Sequence, residues 1–498
     1  MNIILILFVL IFIVYNIIPK ENFFNINKTN NLNVIQNTNN KKDYDDTIVR
    51  CKIQKINFDW KEPFNTKKGY ESIGSGFFID KKGHILTNYH VVSDSIKVSI
   101  QLPKYGNQTY DCDIISVFPK IDVALLKVKD YKNKDYLELG DSDLIKKGDL
   151  SLVLGYPLGL DKLKMTSGIV SGYQDGDIQT DSPINSGNSG GPLLNRNNKV
   201  IGINYAAYDE AQNVGFAIPI NYVKIILEDM KKNKFINYPV LGANFNNSNN
   251  TLLNINKNLQ CAEGFYISNV FKDGTFYNSG IKVGDILCSF DNLKVDNFGE
   301  VFLKKINSKF FIGDYLNFKK IGDKIPVKIL RNNEIINKEV ILSSNTFYKI
   351  RDLFKNYDII DYQILGGLIM MELSNNHFEE FKKNKRILKY DNIINKTEGK
   401  IIITSILEGS KLSNEEIFHA PLILQEVNGF KVSNLQELRN NLNNVLQQNN
   451  IKYFSFLTKD KKFLVLGYNE TKEEELFLSK KYNYKLTDYT KKLLGINL

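Results

Sequence analysis

The chain has 498 residues, of which 43% are hydrophobic and 24% are charged, a composition typical of globular proteins. Since a single hydrophobic core does not grow to this length, we expect about three domains. The net charge of +10 comes from lysines spread along the whole sequence. No run of basic residues interleaved with aromatics occurs, which argues against a nucleic-acid partner.

The first 20 residues form an apolar segment. Positions 3–18 are almost entirely Ile, Leu, Phe and Val, and Pro19 and Lys20 end the run. About 16 apolar residues can cross a thin bilayer. The segment lacks a basic leader and a small-residue cleavage site, which favours an uncleaved signal anchor; a cleaved signal peptide and a buried helix are the alternatives. The sequence therefore predicts membrane anchoring or entry into a secretory pathway.

A polar segment separates this apolar start from the folded part. Residues 21–46 are rich in Asn, Lys and Asp and predict a disordered linker. From residue 48 onward, short strand-like segments alternate with turn signals. This spacing predicts an all-β sandwich or a pair of barrels. The expected strands are Gly74–Asp80, His84–Thr87, Ile96–Leu102, Tyr110–Phe118, Val123–Val128 and Leu150–Leu154.

The cysteines do not indicate a metal site. Cys51, Cys112, Cys261 and Cys288 are far apart in the sequence, without a CxxC or His-rich pairing. We expect no metal and no cofactor. We interpret the four residues as scattered buried thiols and predict that the fold does not depend on a disulfide.

A serine lies among glycines at residues 185–194. Gly187 and Gly190 let the backbone turn sharply beside Ser189, which exposes the hydroxyl and lets consecutive N–H groups point at one spot. A nucleophile with donors aimed at an oxyanion is what an acyl-transfer enzyme needs. The alternative is a tight glycine turn between two strands.

A base and an acid precede this serine. His90 follows an apolar strand, and Asp122 comes directly before the buried run 123–128. A buried carboxylate must be paired, and His90 would satisfy it. Individually, the two residues could be a core histidine and a strand cap. With Ser189 they follow the order His, Asp, Ser, one of the three chain orders of the serine triad.

Eight sequence blocks carry a resemblance to the HtrA/Deg family of trypsin-fold serine proteases. They occur in one order within about 150 residues. The resemblance implies a mainly β protein, with a trypsin-like double β-barrel protease domain at residues 47–234. The blocks are Gly74–Phe77, Leu86–Val92, Asp122–Leu126, Gly155–Gly159, Thr166–Ser171, Gln179–Asp181, Ile184–Leu193 and Val214–Pro219.

Two further domains are implied by the same resemblance. Residues 235–345 match a PDZ domain of the HtrA type through the segments Gly264–Val270, Ser279–Leu287 and Val327–Arg331. Residues 346–498 are similar to the divergent PDZ-like domain of plant-type Deg proteases. Both would be α+β domains. His377 and His419 in the last domain lack evident partners, and we interpret them, like His84, as surface or packing residues.

The resemblance assigns roles around the serine. Ser189 would be the nucleophile, His90 the general base, and Asp122 the group that orients His90. The N–H groups of Gly187 and Ser189 would form the oxyanion hole. Asn188 stands where secreted trypsin-like enzymes have an aspartate that pairs with a new N-terminus, so the sequence argues against activation by zymogen cleavage.

The substrate pocket is implied in outline. By family similarity, five uncharged residues line the space around the side chain at the cleaved position, which favours a small-to-medium aliphatic residue over Lys or Arg. These residues are Ile184, Ile203, Tyr205, Phe216 and Ile218. A helix over residues 219–232 should close the protease domain, because its apolar positions share one face.

The first PDZ domain raises the question of peptide binding. Val240, Leu241, Gly242 and Ala243 would form a loop of free N–H groups beside a strand edge, which can hold the carboxylate of an added peptide strand. The alternative is a PDZ fold that only packs against its neighbour. The connection at residues 173–177 is shorter than in many HtrA proteins, and we expect it to be too short to reach far, which argues against conventional signalling from the PDZ domain.

The resulting functional prediction is an ATP-independent serine endopeptidase that cleaves unfolded or damaged proteins in protein quality control. The family habit implies a homo-oligomer of trimers or their multiples. Two alternatives stay open: a non-catalytic chaperone or PDZ scaffold on the same fold, and a processing protease dedicated to one substrate.

Overall fold

The computed structural model describes residues 43–65, 67–207, 213–246, 261, 263–344, 346–415 and 418–496, with residues 206 and 207 described by their backbone only. The predicted apolar segment 1–20 and most of the predicted linker 21–46 lie outside the described residues. Within the part that is described, no helix is both long and apolar enough to cross a membrane. Residues 45–498 pack as one unit.

The first six strands close into a barrel in the order β1-β2-β3-β6-β5-β4. Alternate residues of β1 (Val49, Cys51 and Ile53) point into its apolar interior, as the two-residue period of a strand requires. A short helix, α1, follows β3 directly. The bounds are β1 (Ile48–Lys55), β2 (Tyr70–Phe78), β3 (His84–Asn88), α1 (Tyr89–Val92), β4 (Ser95–Gln101), β5 (Thr109–Phe118) and β6 (Val123–Val128).

A second barrel closes in the order β10-β11-β12-β9-β8-β7. The helix α2 ends it and buries Tyr222, Val223 and Met230, close to the bounds that the apolar periodicity predicts. The bounds are β7 (Leu150–Gly155), β8 (Lys164–Gln174), β9 (Asp177–Thr180), β10 (Pro192–Leu194), β11 (Val200–Ala207), β12 (Gly215–Pro219) and α2 (Ile220–Met230). The two closed barrels confirm the predicted double-barrel architecture.

The next part is an α+β domain whose sheet runs β13-β14-β15-β19-β20, with β16 paired to β15 and a separate hairpin of β17 and β18. Strand β13 lies at the edge of this sheet. The bounds are β13 (Ala243–Asn246), β14 (Phe265–Val270), α3 (Thr275–Asn278), β15 (Ile286–Phe290), β16 (Leu293–Lys294), β17 (Glu300–Leu303), β18 (Ser308–Phe311), α4 (Ile312–Tyr315), β19 (Lys324–Arg331) and β20 (Glu334–Ile341).

Two of the four cysteines correct the sequence prediction. Cys261 and Cys288 form a disulfide with a Cα–Cα distance of 5.8 Å. Cys51 and Cys112 are buried free thiols, as predicted. The prediction of four unpaired thiols was therefore wrong for Cys261 and Cys288. These two residues are 27 positions apart in the sequence, and only the fold brings Cys261 beside β15.

The last part is an α+β domain with the strand order β21-β22-β23-β24-β27-β26. Gly366 and Gly367 have φ values of 56° and 77° and form the turn between β21 and β22. The bounds are β21 (Tyr362–Leu365), β22 (Leu368–Glu372), α5 (Asn375–Glu380), α6 (Lys385–Leu388), β23 (Ile401–Ile406), β24 (Leu422–Val427), β25 (Phe430–Lys431), α7 (Leu435–Leu442), β26 (Leu446–Gln448), β27 (Ile451–Thr458), β28 (Phe463–Gly467), α8 (Tyr468–Lys481) and α9 (Asp488–Leu494).

The short connection between β8 and β9 contacts the second domain. The rings of Tyr173 and Phe310 are 5.6 Å apart, and a Cβ built on Gly176 would lie 3.2 Å from the Cβ of Asp314. Residues 173–177 thus touch the second domain although they were expected to be too short to reach far, and the expectation about signalling from that domain stays a prediction. A long loop is unnecessary because the second domain itself lies against this barrel.

The histidines other than His90 lie in three different surroundings. His377 is fully buried and pairs with Ser374 at the start of α5, so it is a packing residue, although the sequence analysis gave it no partner. Burial lowers its pKa to about 4. His84 lies 2.6 Å from Asp80, and His419 is exposed.

Candidate active site

The pairing of two strands brings His90 and Asp122 together. In the first barrel, Asn88 at the end of β3 lies opposite Val123 at the start of β6, so the residues just beyond these two ends are neighbours. The N–H of His90 donates to Asp122 Oδ1 at 2.7 Å, and His90 Nδ1 lies 2.6 Å from Asp122 Oδ2. Because an ionised carboxylate only accepts hydrogen bonds, Nδ1 carries the proton and Nε2 is left as a base.

The exposure of the pair suits a reactive site. The His90 side chain keeps 49% of its surface exposed and that of Asp122 keeps 26%. Asp122 has a φ of 54°, in the left-handed region that Asp tolerates better than most residues. The turn before β6 therefore directs the Asp122 carboxylate towards α1, where both of its oxygens form hydrogen bonds with His90.

The loop that carries Ser189 requires its glycine at position 187. Gly187 has a φ of 95°, and a Cβ built there would lie only 2.3 Å from the carbonyl oxygen of Tyr156. Any side chain at this position would push the loop away from the neighbouring segment. The glycine thus fixes the close approach of residues 186–188 to Tyr156 and Leu158.

Ser75 holds the same loop from strand β2. Its hydroxyl donates to the carbonyl of Gly187 at 2.6 Å and accepts the N–H of Tyr156 at 3.0 Å. Its own N–H donates to the carbonyl of Ser189 at 2.8 Å. One fully buried side chain thereby connects the first barrel to the serine loop of the second.

The Ser189 hydroxyl donates to the carbonyl oxygen of Tyr205 at 3.3 Å. Among the described residues, no hydrogen bond joins it to His90. The N–H groups of Gly187 and Ser189 have no protein acceptor within the same described part of the chain, and their role as an oxyanion hole stays a prediction. The structure thus shows the hydroxyl held on the Tyr205 side of the site.

A carboxylate that sequence analysis missed lies behind Tyr205. The Tyr205 hydroxyl donates to Asp177 Oδ2 at 2.7 Å. Burial raises the pKa of Asp177 to about 6, and the nearby carboxylates of Asp314 and Asp175 act in the same direction. A signal existed in the sequence: like Asp122, Asp177 comes directly before a buried strand residue.

The predicted pocket residues lie on two paired strands and the loop beside them. Ile203 on β11 lies opposite Ile218 on β12, and both are buried. The rings of Tyr205 and Phe216 are 6.5 Å apart, and Ile184 fills the space above Gly215, where a Cβ would lie 2.7 Å from its Cδ1. Their role as a substrate pocket stays a prediction.

The predicted peptide loop of the second domain uses its carbonyl groups internally. The carbonyls of Leu241 and Gly242 accept the N–H groups of Phe276 and Phe271, both at 2.9 Å. Among the described residues, nothing accepts the N–H of Leu241 or Gly242. The N–H of Val240 donates to the carbonyl of Ser343 at 2.9 Å, and Ala243 begins the edge strand β13.

Comparison with known proteins identifies the family. A trypsin-like peptidase domain matches residues 74–203, and two PDZ domains match residues 239–342 and 355–486. A probable periplasmic serine endoprotease DegP-like of Rickettsia prowazekii is 30% identical over 384 residues, which cover 74% of this chain and 70% of the relative. The chain belongs to the HtrA/DegP family of serine endoproteases.

Other relatives of this HtrA/DegP chain align over less of their length. A probable DegP-like serine endoprotease of Rickettsia conorii is 32% identical over 319 residues, which cover 60% of this chain and 62% of the relative. The chain thus spans a little under two thirds of that protein. The solved structure of the HtrA-type protease AlgW with a tripeptide aligns with a TM-score of 0.48 and 25% identity, covering 60% of this chain and 93% of that one.

Proposed function

We propose that this HtrA/DegP chain is an ATP-independent serine endopeptidase with Ser189 as its nucleophile. The observation that carries the proposal is the orientation of His90. Asp122 accepts both the backbone N–H and the ring Nδ1 of His90, so Nε2 is the free basic atom of the ring. A base oriented in this way is what a serine hydroxyl needs in order to become nucleophilic.

The proposed reaction proceeds by acyl transfer. His90 Nε2 takes the proton of Ser189 Oγ as this oxygen attacks the substrate carbonyl, and Asp122 stabilises the resulting imidazolium. The N–H groups of Gly187 and Ser189 bind the oxyanion. His90 then gives the proton to the leaving amine, and water hydrolyses the acyl-enzyme in the same way. The first step requires Ser189 Oγ to leave the Tyr205 carbonyl.

The proposed substrates are unfolded or damaged proteins. The relatives are named serine endoproteases, and the pocket residues are uncharged, which fits an aliphatic side chain at the cleaved position. The free N–H groups of Leu241 and Gly242 beside the edge strand β13 fit a peptide carboxylate and an added peptide strand. We propose that the second domain captures substrate C-termini in this way.

The proposed location is a compartment outside the cytoplasm. Disulfides persist in oxidising compartments, and Cys261 and Cys288 form one. The relatives are named periplasmic endoproteases. We propose that the apolar segment 1–20 directs export and anchors the chain to a membrane, and that the protein forms trimers or their multiples.

The test is hydrolysis of unfolded casein without ATP. We expect wild-type protein to cleave casein, and Ser189→Ala to lose all but a residual rate, about 10³-fold to 10⁶-fold lower. Ser171→Ala, which changes an exposed serine on β8, is the matched control and should retain the wild-type rate. Equal rates for wild type and Ser189→Ala would contradict the proposal and favour a non-catalytic scaffold.

A further inference from the structure

The helix that carries His90 is too short to hold itself in place. Helix α1 contains four residues, Tyr89–Val92, and a single turn is unstable without tertiary contacts. The first barrel holds it in place: Val91 and Val92 are buried in the barrel core, the N–H of Tyr89 donates to the Asp122 carbonyl, and the ammonium group of Lys55 donates to the His90 carbonyl at 2.6 Å. The side chain of Tyr89 is partly buried against the barrel core, and its ring also contacts another part of the chain.

That part is the segment 351–358, which precedes the last sheet. The ring of Phe354 lies edge-on to the ring of Tyr89, with centroids 5.9 Å apart. Phe354 also contacts Phe235, at 5.2 Å, and Phe235 contacts Tyr357, at 5.6 Å. Aromatic pairs in this geometry stabilise a fold beyond the burial of their surface. The cluster therefore fixes the outer side of α1.

Two hydrogen bonds attach the same segment to the barrel on either side of α1. Lys355 donates through Nζ to the carbonyl of Ile56 at 3.1 Å, just after β1. Asn356 donates through Nδ2 to the carbonyl of Ser95 at 3.3 Å, at the start of β4. The segment thus contacts the chain before, within and after the region that holds His90.

The segment is rigidly connected to the last domain. Arg351 forms a two-pronged ion pair with Asp358, which also accepts the N–H of Phe354 at 2.9 Å. Leu353 exchanges two hydrogen bonds with the side chain of Asn376 on α5. A movement of the last domain would therefore displace Phe354 directly, because no free linker separates the two.

The last domain has a second attachment to the protease barrels. Residues 56–65, between β1 and β2, lie across it: the ring of Trp60 is 5.3 Å from that of His377, and Thr404 donates to the Lys61 carbonyl at 2.7 Å. Trp60 is the single tryptophan of the sequence. Its emission therefore reports whether the last domain is attached.

We propose that the segment 351–358 positions His90 for catalysis through the contact of Phe354 with Tyr89, so that the last PDZ-like domain is part of the working protease. The inference rests on the proposed role of His90 as the general base. Phe354 is a positioning residue: it touches neither the triad nor the substrate site. A small displacement of a catalytic group can cost about 100-fold in rate, so a peripheral contact can control turnover.

The test compares Phe354→Ala with Phe354→Leu, which restores most of the apolar volume, and with Ile359→Ala. Ile359 belongs to the same stretch of chain, is 93% exposed, and serves as the matched control. We expect Phe354→Ala to lower kcat about tenfold or more with KM within twofold, Phe354→Leu to recover most of the loss, and Ile359→Ala to match wild type.

A second readout does not depend on activity. The proton shared by His90 and Asp122 gives a low-field NMR signal, which should weaken in Phe354→Ala and persist in Ser189→Ala. If wild type proves inactive, the proposed function fails, and this signal still tests the positioning. Trp60 emission shows whether the last domain stays attached in Phe354→Ala. A loss of kcat supports the proposal whether the domain stays attached or detaches. An unchanged kcat and an unchanged signal in Phe354→Ala would overturn it.

Discussion

Tyr205 joins the buried carboxylate of Asp177 to the Ser189 hydroxyl. Its phenol donates to Asp177 at 2.7 Å, and its carbonyl oxygen accepts the hydroxyl of Ser189. Asp177 also begins the strand that follows the hairpin connection 173–177, where the second domain makes contact. Because the acid is buried, its protonation is linked to folding, and the linkage can be measured.

The protein should lose stability as the pH rises through the titration of Asp177. Burial raises the pKa of this carboxyl from 3.8 to about 6, so between these values the folded state retains a proton that the unfolded state releases. The destabilisation is complete above about pH 6. Asp177→Asn should therefore be more stable than wild type at pH 8, by up to about 3 kcal/mol, and equal to it below pH 4.

Urea unfolding at pH 4 and pH 8 measures this difference. Asp175→Asn, which changes an exposed carboxylate of the same hairpin, is the control and should gain far less, because Asp175 only contributes to the raised pKa of Asp177. A variant Asp177→Asn that is no more stable than wild type at pH 8 would show that the carboxyl is not buried in the folded protein.

We expect the stability of the last domain to fall with rising pH in the same way, because this domain contains a second buried acid. Glu475 on α8 is fully buried, and burial raises its pKa from 4.5 to about 7, while Tyr484 donates a hydrogen bond to it at 3.0 Å. Stability falls as the pH rises from about 4.5 to 7. Glu475→Gln keeps an acceptor for Tyr484 and should gain up to about 3 kcal/mol at pH 8. Glu473→Gln, at an exposed position, should gain nothing in the same urea titration.

The hydroxyl of Ser75 should matter for activity although it is remote from the substrate. Ser75→Ala removes a bond to the Gly187 carbonyl and leaves the N–H of Tyr156 unpaired in a buried site, a loss of about 1–3 kcal/mol. We expect a lower midpoint of thermal unfolding and about a tenfold fall in kcat on casein. Ser72→Ala on the same strand should change neither quantity, and equal kcat for both variants would contradict the role of Ser75.

The disulfide should stabilise the protein measurably. Closing a loop of 27 residues restricts the unfolded chain by about 3–4 kcal/mol. Reduction with dithiothreitol should lower the unfolding midpoint of wild type. The double variant Cys261→Ser with Cys288→Ser should already show the lower midpoint, and a reductant should not change it further. A midpoint in wild type that is insensitive to reductant would mean that the two thiols are not paired.

The sequence was sufficient for the fold and for the pairing of His90 with Asp122. Short apolar strands separated by turn signals predicted a sandwich or a pair of barrels, and the family resemblance pointed to the barrels. Most strand ends agree within a residue or two. The pairing of His90 with Asp122 was predicted because a buried carboxylate needs a partner, and in the structure one antiparallel strand pair brings the two residues together. The apolar face of α2 likewise identified the helix that ends the second barrel.

Contacts between distant segments could not be predicted from local patterns. The Cys261–Cys288 pair depends on the tertiary fold within one domain. The approach of residues 173–177 to Asp314 and the contact of Tyr89 with Phe354 depend on how domains pack. Periodicity reports which face of an element is buried but not which element covers it. Asp177 was missed for a related reason: it precedes a buried strand residue, but its partner Tyr205 was assigned to the pocket by resemblance, and a local pattern does not show that the two are in contact.

The most direct test of the account is covalent labelling by a fluorophosphonate, which reacts with a serine that is activated by a neighbouring base. Wild-type protein should incorporate one label, and peptide mapping should place it at Ser189. The variants His90→Ala and Ser189→Ala should incorporate none over the same time. Absence of labelling in the wild type, or equal labelling of wild type and Ser189→Ala, would contradict the assignment of His90, Asp122 and Ser189 as the catalytic residues.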